Sequence, residues 1–209
     1  MNSDQHPNPP PGSGGYSPGD LRGFTQELQH SQASARVPEK VGRGVFSTGA
    51  LIIQGQHEFA IDFVVRIANP HQVAARVIMA HTLIPAFVQA LRENLNNYQT
   101  QFGPPPPLPT PPPSQPMPSV EEIYQQLKLS DDMLSGVYAN AVMIAHTPAE
   151  FCFDFITNFY PRSAVSCRVY LSAPQIPGFL NSLVQSYQQY QQKMGQPFPP
   201  PPDSRSPKL

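Results

Sequence analysis

VFSTGALIIQGQHEFAIDF, residues 45–63, and VYANAVMIAHTPAEFCFDF, residues 137–155, lie 92 positions apart and align without a gap. The same shift carries the match over Gly44–Gly103 and Gly136–Gly195, with 17 identical pairs in 60 positions. Among them are Gly44/Gly136, Glu58/Glu150, Phe59/Phe151, Asp62/Asp154, Arg76/Arg168, Pro85/Pro177, Tyr98/Tyr190 and Gly103/Gly195. Many of the other 43 pairs exchange one apolar residue for another. The chain is a tandem duplication, so a reading of one copy constrains the other.

Each copy reads as three strands and a helix, an α+β unit. The strands are 45–54, 58–67 and 72–80 in the first copy, and 137–146, 150–159 and 164–172 in the second. Short polar turns join them, which favours antiparallel neighbours and so a three-stranded antiparallel sheet. The stripe Ile84, Phe87, Val88, Leu91, Leu95, Tyr98, Phe102 has helical spacing, as does Ile176, Phe179, Leu180, Leu183, Tyr187, Tyr190, Met194. Long helices are therefore predicted over about 82–102 and 174–194. Pro85 and Pro177 fall in their first turns, where a missing N–H costs nothing. Ser172 is a candidate N-cap, and Gly103 and Gly195 are the expected stops.

Alternation assigns the strand faces. One face, with Phe59, Ile61, Phe63, Val73, Ala75, Val77 and Met79, should pack on the helix. The other carries Glu58, Ala60, Asp62, Val64, Arg76 and Ile78, and in the second copy Cys152, Asp154, Ile156, Arg168 and Tyr170. On that face Asp62 with Arg76, and Asp154 with Arg168, should form cross-strand ion pairs of structural purpose. The rest is too apolar to be simply solvated. Ile78, Tyr170, Ile156 and Val64 form the candidate interaction face. A 60-residue unit buries too little surface to be comfortable alone. The two copies are therefore expected to pack as a pseudo-twofold unit.

The prolines mark what lies outside the copies. Of 28, six fall in 1–40, ten in 104–118 and six in 196–209. The expected organisation is a disordered Pro/Gly/Gln-rich arm (1–40, with a helical turn near 24–29), the first repeat (41–103), and a polyproline linker (104–118). A short helical connector (119–135), the second repeat (136–195) and a disordered Pro-rich tail (196–209) complete it. Ser119-x-x-Glu122 has the spacing of a capping box for a helix over 120–128. Segment 104–113 contains PPLP, the type of ligand that aromatic-lined grooves bind, although a stiff spacer explains it as well.

Composition narrows the function classes. Net charge is -1 and only 13% of residues are charged, which disfavours an electrostatic nucleic-acid binder. No apolar run is long enough to span a bilayer, and no basic-then-apolar leader opens the chain. Two cysteines of opposite strand parity, Cys152 and Cys167, predict free thiols and a cytoplasmic setting. His57, His71, His81 and His146 are scattered without metal-ligand spacing, so no metal or other cofactor is expected. Glu58 with Asp62 is the one candidate acid–base pair, and no nucleophile accompanies it in both copies. Tyr138, Phe46, Tyr170 and Arg168 are a candidate stacking platform for single-stranded nucleic acid. No catalytic residue is assigned.

The second copy resembles the bacterial and archaeal family catalogued as domain of unknown function 3467. Its Tyr138–Asn140 opening, its His146–Phe151 turn and the Leu171–Pro174 helix start are similar to that family's motifs. The first copy departs from them, with Phe46-Ser47-Thr48, Gln54-Gly55-Gln56 and Ala80-His81-Thr82 in those places. The resemblance implies no activity. The expectation is a non-enzymatic interaction or assembly module that binds a protein partner or self-associates. Single-stranded nucleic-acid or small-ligand binding on the outer face is the alternative. Chaperone activity like that of SecB comes third, by likeness of topology alone.

Overall fold

The computed structural model describes residues 35–109, 119–159 and 162–194. In chain order these give α1 (Glu39–Gly42), β1 (Val45–Ser47), β2 (Gly49–Gln54), β3 (Glu58–Val65), β4 (His71–Ala80) and α2 (Ile84–Phe102). The second half gives α3 (Val120–Gln125), β5 (Leu127–Lys128), β6 (Val137–Tyr138), β7 (Ala141–His146), β8 (Glu150–Phe159), β9 (Arg162–Ser172) and α4 (Ile176–Met194). A 3-10 turn leads into each long helix, at His81–Leu83 and Ala173–Gln175. Pro85 and Pro177 sit in the first helical turns, as their chemistry requires. Ser172 occupies the N-cap position of its turn, but its hydroxyl makes no capping bond.

The expected three-stranded antiparallel sheets are each enlarged, and become mixed. β2, β3 and β4 are antiparallel neighbours, as are β7, β8 and β9. The predicted first strand, however, is broken in two in both copies. β1 leaves its own copy and pairs parallel with β9, Val45–Ser47 against Val169–Leu171. β6 does the reverse and pairs parallel with β4, Val137–Tyr138 against Val77–Ile78. With β5 also beside β4, the sheets have four and five strands. Alternation cannot reveal this, because a broken strand and a continuous one carry the same apolar pattern. The exchange gives the otherwise bare edges of β4 and β9 backbone partners.

A glycine leads into each exchanged strand, and a hydrogen-bonding side chain sits at each break. Gly44 and Gly136 adopt φ of +66° and +65°, a region costly for any residue with a Cβ. A Cβ on Gly44 would meet the Tyr170 ring at 2.5 Å, and one on Gly136 would meet Arg76 Cγ at 2.7 Å. At the second crossover the Asn140 carboxamide donates to Asn158 O (3.0 Å) and accepts from Asn158 N (2.7 Å). Thr48 takes this place in the first copy: its hydroxyl donates to Val64 O and accepts from Arg66 N at 3.0 Å.

The long helices cross over as well. α2 packs on β7 and α4 on β2, so each helix lies against the sheet of the other copy. Tyr98 Oη donates to Pro148 O at 2.8 Å; Gln54 Nε2 donates to Ser186 O at 3.0 Å. Between the sheets Phe63, Phe87, Phe155 and Phe179 form a closed cluster with centroids 5.5–5.9 Å apart, largely edge-on. These are two pairs of counterparts from the duplication. Such contacts add about 0.5–1.5 kcal/mol each beyond the area they bury. One core therefore serves both copies.

Two expectations about faces and boundaries need correction. Val64 and Ile156 are only 1% and 4% exposed, so they belong to no interaction face. The strand register shifts between Phe63 and Val64 and again between Phe155 and Ile156. These bulges interrupt the alternation that placed both residues outward. The disordered arm was also expected to reach residue 40. Arg36 instead bridges to Ala164, with Arg36 N donating to Ser163 O at 3.0 Å. The rest of the arm, the turn near 24–29, residues 110–118 and the tail beyond Met194 lie outside the described residues.

Candidate functional site

Asp62 and Arg76 are cross-strand neighbours on β3 and β4, and Asp154 and Arg168 occupy the same places on β8 and β9. Both pairs are bidentate. Arg76 Nε and Nη2 donate to Asp62 Oδ1 and Oδ2, each at 2.7 Å; Arg168 does so to Asp154 at 2.6 and 2.7 Å. Each arginine also donates to a backbone carbonyl 92 residues apart in sequence, Leu134 O at 3.1 Å and Gly42 O at 3.2 Å. Hydrogen bonding to its aspartate is the main cause that holds each guanidinium more firmly protonated than usual. The predicted ion pairs therefore form, in the same frame in both copies.

What covers the two pairs differs. On the first sheet α3, capped by the Ser119–Glu122 box, places Tyr124 over the pair. The Tyr124 hydroxyl donates to Asp62 Oδ2, which already accepts from Arg76. Burial, then this bond to Asp62, push the phenol well above its ordinary pKa, so it stays a donor. On the second sheet Asp154 has no such hydroxyl among the described residues. Its side chain is 10% exposed where that of Asp62 is 0%, and Arg168 is 22% exposed where Arg76 is 13%.

Beside the second pair the sheet is concave. A cavity of about 400 Å³ is lined by Phe46, Ala145, His146, Thr147, Glu150, Cys152 and Tyr170. β1 delivers Phe46 to it from the first copy, in register with Tyr170. Cys152 pairs with Tyr170 across β8 and β9, two residues from Asp154 on the same face. Its Sγ lies 3.9 Å from Asp154 Oδ1. Burial, then the Asp154 charge, raise its thiol pKa, so Cys152 is a poor nucleophile. Cys167 is pushed up to about 11, by burial first and Asp154 second. Both thiols are free.

The structure separates the other candidate residues. Ile78 and Tyr170 are half-buried, on different sheets. Tyr138 pairs with Ile78 and stacks on Phe159, with centroids 6.0 Å apart and planes 7° from parallel. It therefore shares no platform with Phe46 and Tyr170, and the guanidinium of Arg168 is occupied. Both oxygens of Asp62 are engaged while Glu58 is exposed at the hairpin, so these carboxylates do not form an acid–base pair. His81 lies among Phe59 and Tyr190, and His146 among Tyr98, Phe102 and Phe151. Thr147 Oγ1 donates to Glu150 Oε2 at 2.8 Å and closes the β7–β8 turn. Among the described residues no three His, Cys, Asp or Glu side chains cluster as metal ligands, and no helix is long and apolar enough to cross a membrane.

Tyr124 was not singled out from sequence. The capping box signals its helix, but nothing local says that the helix docks on Asp62, 62 residues earlier.

The fold and this face define an interleaved α+β tandem in which, among the described residues, a tyrosine covers the aspartate of one sheet and not that of the other. The chain belongs to the family described as Protein of unknown function (DUF3467), whose model matches twice, over residues 8–105 and 110–196. Both matches begin well upstream of the sheets, so the family unit includes the segments that lead into them. No curated protein matches the chain.

Proposed function

We propose that the chain is a non-enzymatic interaction module, a fused pseudo-twofold pair of family domains that docks a protein partner or a second copy of itself. The docking face is the outer surface of the second sheet, around Tyr170, Phe46 and Cys152. One observation carries this reading: Tyr124 covers the aspartate of the first sheet, while on the second, among the described residues, no hydroxyl covers Asp154 and its neighbour Cys152 lines a cavity of about 400 Å³ with Phe46 and Tyr170. A concave, largely apolar surface with a few polar groups is the usual form of a binding site. Phe46 is 48% exposed at its rim, although it is a large aromatic residue. Against catalysis stand the raised thiol of Cys152 and the carboxylate of Asp154 held by Arg168. A cytoplasmic setting accords with the two free thiols.

The test introduces a charge. Tyr170→Glu should abolish a contact made through this face while leaving the core and the far-ultraviolet circular dichroism unchanged. Light scattering after size exclusion reads self-association, and quantitative capture from host lysate reads partner binding. If the two proteins match in both assays, the face is idle and the reading falls.

A further inference from the structure

Resting on that docking reading, we infer that the partner presents a tyrosine on a short helix, with its ring in the second-sheet cavity and its hydroxyl donating to Asp154 Oδ2. The first copy contains such a contact within the chain. There Tyr124, in the last turn of α3, donates to Asp62 Oδ2 while Arg76 holds both carboxylate oxygens. The two frames match down to the backbone. Leu134 O and Gly42 O accept from the two arginines, and Lys128 beside Gln72 corresponds to Arg36 beside Ala164. The 92-residue shift that relates these pairs puts Gln32 opposite Tyr124 in the sequence, a residue without a ring.

The chemistry of the open frame selects the ligand. Asp154 Oδ2 accepts from Arg168 alone among the described residues, where its counterpart accepts twice. An ionised carboxylate already held by arginine calls for a further donor, and a phenol supplies one at the end of a rigid apolar ring. The cavity borders this frame at Cys152, two residues from Asp154 along the same face and with Sγ 3.9 Å from Asp154 Oδ1, and is flanked by the rings of Phe46 and Tyr170. A phosphorylated tyrosine does not fit. It brings only acceptors and extra negative charge against Asp154 and Glu150.

A labelled peptide of residues 119–129, SVEEIYQQLKL, titrated into the full chain and followed by fluorescence anisotropy, tests this. Binding is expected, weakened at least about 10-fold when the peptide carries Tyr124→Phe, because a hydrogen bond to a charged group is lost. The phosphotyrosine peptide should not bind. Asp154→Asn in the protein should weaken the tyrosine peptide and leave the phenylalanine peptide nearly unchanged. Phe46→Ala, at an exposed position that leaves the ion pair intact, should weaken both. Equal binding of the Tyr and Phe peptides overturns the inference, as does no binding at all. If no peptide binds while Tyr170→Glu still disrupts association of the full chain, the tyrosine assignment alone falls. If Tyr170→Glu changes nothing, the docking reading falls with it.

Discussion

The outer faces of the two sheets carry the same Asp–Arg pair, and among the described residues a tyrosine covers it in only one of them. Around Asp62 the connector supplies the Tyr124 hydroxyl; among the described residues Asp154 has no such cover, and its neighbour Cys152 lines a cavity. Duplicated sequence thus preserves the frame of a site more strictly than its occupancy. The aspartate, the arginine and the carbonyl behind it persist, while the sequence position of Tyr124 holds Gln32 in the other copy. A buried ion pair costs desolvation that its own attraction only partly repays, so such a pair is retained more readily where something else uses it. In the first copy that user is the chain itself.

The strongest way to break this comparison is to remove each carboxylate. Asp62→Ala leaves Arg76 buried and unpaired and takes the acceptor from Tyr124, and should cost about 3–5 kcal/mol in urea unfolding. Asp154→Ala, at the more exposed pair, should cost about 1–3 kcal/mol, with a smaller loss when Arg168→Met accompanies it. Equal losses would show that the faces are energetically alike. Tyr124→Phe should cost about 1.5–3 kcal/mol, because a bond to a charged group is lost, and should not alter the Asp154–Arg168 coupling in a double-mutant cycle.

Smaller effects sharpen the contrast. Alanine at either crossover glycine should destabilise by about 1–2 kcal/mol through its positive φ. Gly136→Ala should be the worse of the two. Both Cβ atoms would meet an ion-paired arginine, but at Gly136 the contacts include the backbone oxygen of Arg76 at 3.1 Å, whereas at Gly44 all are side-chain atoms, of Tyr170 and Arg168. A further expected effect is a slope in pH. Cys167 in the folded chain ionises only at about 11, while the unfolded thiol does so at its ordinary 9.0. Above pH 9 the unfolded state sheds this proton first, so stability should decline gently between pH 9 and 11. Cys167→Ser should flatten that part of the stability–pH curve.

What could be read from sequence follows from the range of each signal. Helix stripes, the Ser119 capping box and the first-turn prolines are local, and the structure contains them all. The ion pairs were legible because duplication displayed Asp and Arg twice at one spacing. Val64 and Ile156 were misplaced because a bulge changes the side-chain direction without changing composition. The three-residue strand Val45–Ser47 was read as part of a longer one because its partner, β9, lies more than 120 residues away. The closure by Tyr124 has the same character: a contact between separate copies leaves no periodicity in either.

The reciprocal strand exchange also bears on how the chain is made. β4 can be paired along Val77–Ile78 only by Val137 and Tyr138, so the first copy leaves the ribosome with part of an edge unpaired. At about 5–20 residues per second, the intervening 60 residues take several seconds to synthesise. Throughout that interval Phe59 and Phe63 of β3 also wait for Tyr190 and Phe179 of α4, the last of the described elements. Neither copy can finish before the other, and completion of the fold comes after the last helix is released.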